Sequence, residues 1–279
     1  MCSIFNRTIR RGLFCMTLLA AAFFLSGHGL LAQPSTEEII AQAREYLGGD
    51  EALNAVESLY YRGTFETAEG AEGEVEIKFK KPLYQRVKTV RDEVTEVTAL
   101  SHYDGWRKIT QRDDEANWTI VFLDVDQIRE MQANTWENLN FFRDIERRRG
   151  RIVNEGLVDL DGHPCVKLTF NHRGGVFFVR YFDAETGQLR MSETSGGGQI
   201  LEEGSQRVSG IRFPERLIMV QDGEVMNRIE FTEIEVNREF DDELFDVPSM
   251  APHESGGGLP RVEDPEDPLL DLPPQIEQP

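Results

Sequence analysis

The spacing of apolar residues changes period several times along the chain, and each change marks an element. Ile39, Ile40, Ala43 and Leu47 recur at three- and four-residue steps, which places them on one helix face. Ser35, with Glu38 three residues later, makes a capping box ahead of that stripe, and Gly48-Gly49 supplies the stop. Asp50 caps a second short helix reaching Val56. The period then drops to two. Leu59, Tyr61 and Phe65 alternate with Tyr60, Arg62 and Thr64, and Val75, Ile77 and Phe79 repeat the pattern beyond a turn at 69–73. Pro82 ends that strand, and another follows over 83–90.

The middle of the chain returns to helical spacing. Asp124 opens a capped helix that runs through Met131 and resumes with Trp136, Leu139, Phe142 and Ile145. The close at Arg147-Arg148-Arg149-Gly150 suits the negative end of a helix dipole. One broken helix or two short ones are expected here. Strands then return as a continuous meander over 152–160, 166–170, 176–182, 189–194, 200–208, 211–220 and 225–236, separated by glycine-containing turns. In the last of these, Val225, Asn227, Ile229 and Phe231 share a face, whereas Ile234 and Val236 have the opposite parity. A β-bulge near Thr232 reconciles the two. No internal repeat of solenoid or propeller period is visible.

The pattern predicts a mainly β (α+β) fold: a strongly curved antiparallel sheet, or half-open β-barrel, with an N-terminal helix and an inserted helical lid over its concave face. Two interiors fit this outline. Either the lid covers an apolar cavity, or the helices fill the core outright.

Composition adds the chain's ends and its compartment. Arg7, Arg10 and Arg11 precede a mostly apolar run over 13–25, and a small-residue exit follows at Ala32, so residues 1–32 read as a cleaved export signal. The 13-residue run is shorter than the roughly 20 apolar residues that a membrane span needs. Phe14 ahead of Cys15 disfavours a lipoprotein signal. Cleavage removes three of the 30 basic residues and none of the 50 acidic ones, which takes the formal net charge from −20 to −23. Such a surface repels phosphate backbones, so nucleic acid is not expected as a partner. Residues 33–249 form the expected domain, and residues 250–279, rich in Pro, Gly and acids, read as a disordered acidic tail.

Candidate chemistry is sparse. Only Cys165 remains after the signal, in a strand-like run, where a buried inert thiol is expected. His102, His163, His172 and His253 show no metal-ligand spacing, and no nucleophile elbow or phosphate loop is present. No metal and no cofactor are expected. His102, beside Tyr103-Asp104, is the one candidate general base, and it carries the least favoured reading, a secreted hydrolase.

A family resemblance rests on several motifs in order. They are Gly48-Gly49-Asp50-Glu51-Ala52-Leu53, the run from Ser58 to Phe65, Val75 to Pro82, Tyr103-Asp104-Gly105-Trp106, Gly210 to Pro214, and Phe245-Asp246-Val247-Pro248. Together they resemble the outer-membrane lipoprotein carrier and sorting (LolA/LolB-like) superfamily, over residues 36–248. The resemblance implies a half-open barrel, a helical lid and a cavity for lipoprotein acyl chains in the periplasm. It also implies a lid latch from an arginine just before the proline of the second sheet strand. Lys81 stands there, and it lacks the bidentate fork of arginine.

The candidate cavity lining is Tyr61, Phe65, Ile77, Phe79, Phe178, Phe182, Phe213 and Phe231, with Lys81, Trp136, Leu139 and Phe142 on the lid side. The expected function is a monomeric, non-catalytic periplasmic carrier or binding protein. Its partners would be a lipidated protein or lipid cargo and a membrane-anchored receptor or transporter. An interaction module with a filled barrel is the alternative.

Overall fold

The computed structural model describes residues 34–111 and 114–248, and the structural statements below concern those residues. The segments read as export signal and acidic tail lie outside them. Helix α1 (Thr36–Leu47) forms on the predicted stripe. The Ser35 backbone N–H donates to Glu38 Oε2 at 2.7 Å, and the Glu38 N–H donates to Ser35 Oγ at 3.2 Å, which completes the capping box. Gly48 ends the helix at φ 148°, where a Cβ would stand 2.6 Å from the Gly210 carbonyl oxygen. Helix α2 (Asp50–Asn54) follows, two residues shorter than its pattern suggests.

Six strands come next: β1 (Ser58–Thr67), β2 (Glu72–Lys80), β3 (Tyr84–Arg91), β4 (Val94–Ser101), β5 (Asp104–Gln111) and β6 (Asp114–Phe122). Helix α3 (Val125–Asn140) is continuous, not broken after Met131. It stops where Phe141 and Phe142 take φ of 47° and 71°, and a 3-10 turn (Ile145–Arg148) carries the rest of the predicted helical stripe. The second half holds β7 (Arg151–Leu160), β8 (His163–Asn171), β9 (Phe177–Asp183), β10 (Leu189–Thr194), β11 (Gln199–Glu203), β12 (Gln206–Val208), β13 (Ile211–Phe213), β14 (Arg216–Gln221) and β15 (Glu224–Val236). The strands expected over 200–208 and 211–220 are therefore each split. Pro214 has no N–H to give to a ladder, Gly204 turns at φ 70°, and β12–β13 leave the main sheet as a separate hairpin.

Thirteen strands form one antiparallel sheet in the order β6-β5-β4-β3-β2-β1-β15-β14-β11-β10-β9-β8-β7. The sheet is strongly curved and does not close into a barrel. Its order explains the lid. The chain starts at the sheet centre, meanders to the edge at β6, and must reach the far edge at β7 before meandering back to pair β15 with β1. Helix α3 makes that crossing, packed over β2 to β5 and against the 173–175 turn. The central β1–β15 pair carries the predicted bulge: Arg62 pairs with Glu233 and Gly63 with Phe231, which leaves Thr232 as the extra residue. Gly63 is required at this point, since a Cβ would lie 2.0 Å from the Glu230 carbonyl oxygen.

Two apolar clusters hold the layers together. Ile39, Ile40 and Ala43 of α1 pack with Phe142 and Ile145 onto Val166, Leu168, Phe170 and Phe182. Leu53, Val56, Leu139 and Phe141 pack onto Leu59, Phe79, Ile211 and Ile234. Cys165 sits in a smaller cluster with Val179, Tyr181 and Met191, where burial pushes its thiol up and disfavours the thiolate. On the same side as Tyr84, Phe245 is fully buried. Its carbonyl accepts from Trp106 Nε1 at 2.9 Å, so the closing Phe-Asp-Val-Pro motif braces β3 and β5.

Candidate functional site: a cavity under the lid helix

A cavity of about 730 Å³ lies between α3 and the concave face, a size typical of ligand pockets (~300–1,000 Å³). The reading in which helices fill the interior completely leaves no room for it. The cavity's position follows from strand parity. Tyr61 and Phe65 on β1, Val75, Ile77 and Phe79 on β2, Leu217 and Met219 on β14, and Ile229 and Phe231 on β15 alternate inward and form one continuous apolar wall. Tyr61 sits at the focus of the aromatics, with ring centroids 6.3 Å from Phe79, 5.9 Å from Phe213 and 5.1 Å from Phe231.

Seven of the eight candidate lining residues border this space: Tyr61, Phe65, Ile77, Phe79, Phe178, Phe213 and Phe231. Phe182 does not. It is fully buried in the core beneath α1, edge-on to Phe142 at 5.0 Å, because the α1 side of the sheet is covered while the β1–β15 side is not. Of the lid candidates, only Phe142 borders the cavity. Leu139 points into the core with Leu59 and Ile211, and Trp136 lies at the edge of the other core cluster, its Nε1 donating to the Arg143 carbonyl at 3.2 Å. Among the described residues, the Lys81 ammonium pairs with the exposed Glu57, at 3.5 Å, and not with α3.

The lid is held by polar groups that the sequence reading passed over. Arg44, 1% exposed, donates through Nη1 to the carbonyls of Asn140 at 3.1 Å and Phe141 at 2.9 Å, the unsatisfied end of α3. Its other nitrogens bond Asp50 Oδ1 at 2.6 Å and Asn54 Oδ1 at 2.7 Å. Arg44 holds the Asp50 carboxyl below the usual carboxylate range. In the last turn of α3, buried Glu137 receives Arg180 Nε at 2.8 Å and Nη2 at 2.6 Å on one oxygen, with His172 Nε2 at 2.6 Å from the other. On the opposite half of the sheet, Thr135 Oγ1 donates to Gln85 Oε1 at 2.9 Å and Gln132 Nε2 to the His102 carbonyl at 2.7 Å. The helix is thus tied to both halves of the curved sheet by buried polar contacts. Its signals were a charge placed on each apolar face: Arg44 sits four residues after Ile40, and Glu137 four after Ala133.

Inside the cavity one acid stands apart. Glu202 on β11 shares its inward parity with Ile200 and has no hydrogen-bond or ion-pair partner among the described residues. Enclosure by the sheet pushes its carboxyl up to about 7, against the opposing pull of Arg180. Burial, and then Glu202 itself, also raise the Tyr61 hydroxyl. A carboxyl raised on folding contributes stability that is complete below its ordinary value of 4.5 and is lost as pH climbs through about 7. Glu202→Gln should therefore match the parent in acid. Near pH 8 it should exceed it by about 1–2 kcal/mol, discounted for the water the cavity admits. Urea unfolding at both pH values checks this, and equal stability near pH 8 contradicts it.

His102 packs against Tyr84 with tilted rings, centroids 4.4 Å apart, in the β4–β5 turn and does not border the cavity. Among the described residues, no group of three or more His, Cys, Asp or Glu side chains could hold a metal ion, and no helix is long and apolar enough to cross a membrane.

No protein-family model matches the sequence, and no curated protein matches it. Solved structures do. A LolA superfamily protein from Nitrosomonas europaea aligns over 77% of this chain and 98% of its own, with a TM-score of 0.51 at 14% identity. A DUF1329 family protein from Desulfovibrio piger aligns over 75% of this chain and 96% of its own, with a TM-score of 0.49 at 9% identity. Identities this low speak to the fold alone. The curved sheet entered at its centre, the helix crossing between its edges and the likeness to the Nitrosomonas protein give this chain a LolA-type fold.

Proposed function

We propose that this chain is a non-catalytic carrier or binding protein of the cell envelope, which holds the acyl chains of a lipoprotein or a comparable lipid-like cargo beneath α3. The observation that carries this reading is the cavity of about 730 Å³, walled by Phe79, Phe213, Phe231, Ile229 and Leu217 and roofed by a helix tied down through polar contacts. Burial of apolar area at roughly 25 cal/mol per Å² supplies affinity for an alkyl chain without any reaction. The export-signal pattern over 1–32 supports a periplasmic location, and a membrane-anchored receptor or transporter is the partner such a monomeric shuttle would need.

Titration with an environment-sensitive fluorescent fatty-acyl probe tests the reading. Ile77, only partly buried and facing the cavity, is the site for a blocking change. Ile77→Trp should weaken probe binding by about tenfold or more while overpacking costs only about 1–3 kcal/mol of stability. Absence of saturable uptake by the parent protein, or uptake unchanged in the tryptophan variant, contradicts the proposal.

A further inference from the structure

The polar atoms facing the cavity are unequally provided for, and the inequality has a sign. Three arginines border the space, and each faces a carboxylate or carbonyl partner, although the buried Nε of Arg107 makes no hydrogen bond. Arg180 is clamped by Glu137, Arg107 pairs with Glu96 at 3.2 Å, and Arg212 donates to the Tyr46 carbonyl at 3.2 Å while stacking on the Tyr46 ring. Against these paired cations, two side-chain oxygens on the cavity wall stand without a donor. Glu202 has no partner among the described residues, and on the same wall the buried Oδ1 of Asn227 receives no hydrogen bond. The Tyr61 hydroxyl, which can donate as well as accept, is close enough to Glu202 for its ionisation to be perturbed and has no partner among the described residues.

A buried acceptor left without a donor costs free energy that a ligand can recover. We infer that Glu202 receives the polar end of the cargo, and that the cavity selects amphiphiles whose head donates hydrogen bonds or carries positive charge, such as a primary amine, over those ending in a carboxylate. This rests on the cavity being the binding site and adds to it a preference among heads. A carboxylate would meet Glu202 with like charge, and the guanidiniums of Arg180 and Arg107 already face the carboxylates of Glu137 and Glu96. An ammonium would meet an unpaired acceptor in an enclosed site, where a charge-assisted hydrogen bond is strongest.

The test displaces a bound naphthylamine-type fluorophore with dodecylamine, dodecanol and dodecanoate, each below its micelle-forming concentration. It is run near pH 8, where Glu202 is mainly ionised, and at ~0.5 M salt to screen the acidic surface. Dodecylamine should displace at about tenfold lower concentration than dodecanoate, as one charge-assisted hydrogen bond provides. In Glu202→Gln the amine should fall to within about threefold of dodecanol, whose hydroxyl the glutamine amide oxygen can still accept. Equal displacement by amine and carboxylate in the parent protein, or an amine preference that survives in Glu202→Gln, overturns the inference and leaves the cavity reading standing. Failure of all three to displace the fluorophore, dodecanol included, overturns both.

Discussion

Replacing Glu137 with alanine is expected to lower the unfolding free energy by about 3–5 kcal/mol, the cost of stranding a buried charge. The carboxylate is 1% exposed and serves two partners at once, Arg180 from β9 and His172 from the turn before it. Without it, the Arg180 guanidinium keeps only its bond to Ser192 Oγ, at 2.9 Å, and the faces of Phe142, Phe170 and Phe178, each 5.4–5.7 Å from its centre. Those ring contacts do not replace two charge-assisted hydrogen bonds to the Glu137 Oε2 atom. The paired change Glu137→Leu with Arg180→Met removes both charges and should recover most of the loss, because the surroundings are already apolar. Urea denaturation of the two variants decides between a charge effect and simple loss of packing. A double variant no more stable than Glu137→Ala would contradict the charge account.

Arg44→Met is the second large effect, and it acts on the lid. Two α3 carbonyls and Asn54 lose their donor, and Asp50 keeps only Arg143, at 2.9 Å. Hydrogen bonds to a charged donor contribute about 1.5–3 kcal/mol each at most, and Asp50 is half exposed, so a total loss of about 2–4 kcal/mol is expected. Hydrogen exchange should speed up most at the C-terminal turns of α3, around Glu137–Phe141, and less in β8 and β9. Lys81→Met is the matched control. Its exposed pair with Glu57 is worth well under ~1 kcal/mol, so it should leave both stability and α3 exchange near the parent values. Faster α3 exchange in the Lys81 variant than in the Arg44 variant would return the latch to the position that the family resemblance suggested.

That latch shows where sequence reasoning reached and where it stopped. Periodicity found α1, β1, β2, the return strands and even the Thr232 bulge, because each buries one face and the side-chain period changes sign at the extra residue. It missed β4, β5 and β6. Runs such as Val94-Thr95-Glu96-Val97 and Arg107-Lys108-Ile109-Thr110 carry few apolar residues per face, and hydrogen bonding to neighbours in the sheet decides their conformation. The meander over 152–236 holds apart from the β12–β13 hairpin, whereas the pairing of β15 with β1 joins segments far apart in sequence, which no local pattern encodes. Among site residues, the aromatics of β1, β2, β13 and β15 were legible by parity. Phe182 was misplaced because the same parity also lines the part of the sheet that α1 covers. Arg44, Glu137 and Arg180 were hidden for another reason: on a chain with 30 basic and 50 acidic residues, a buried charge stands out only once its partner across the fold is known, and Glu202 only once the wall it faces is known.

The central claim is that the curved sheet and α3 enclose room for an apolar chain. Crystals of the protein soaked with a terminally brominated alkyl alcohol, examined by anomalous scattering, test it most directly. The account predicts a bromine site enclosed by Phe79, Phe213, Phe231 and Ile229 under α3, with occupancy lost in Ile77→Trp. Bromine found only on the outer surface, with Tyr61 and its aromatic neighbours collapsed together into the space they line, would contradict it.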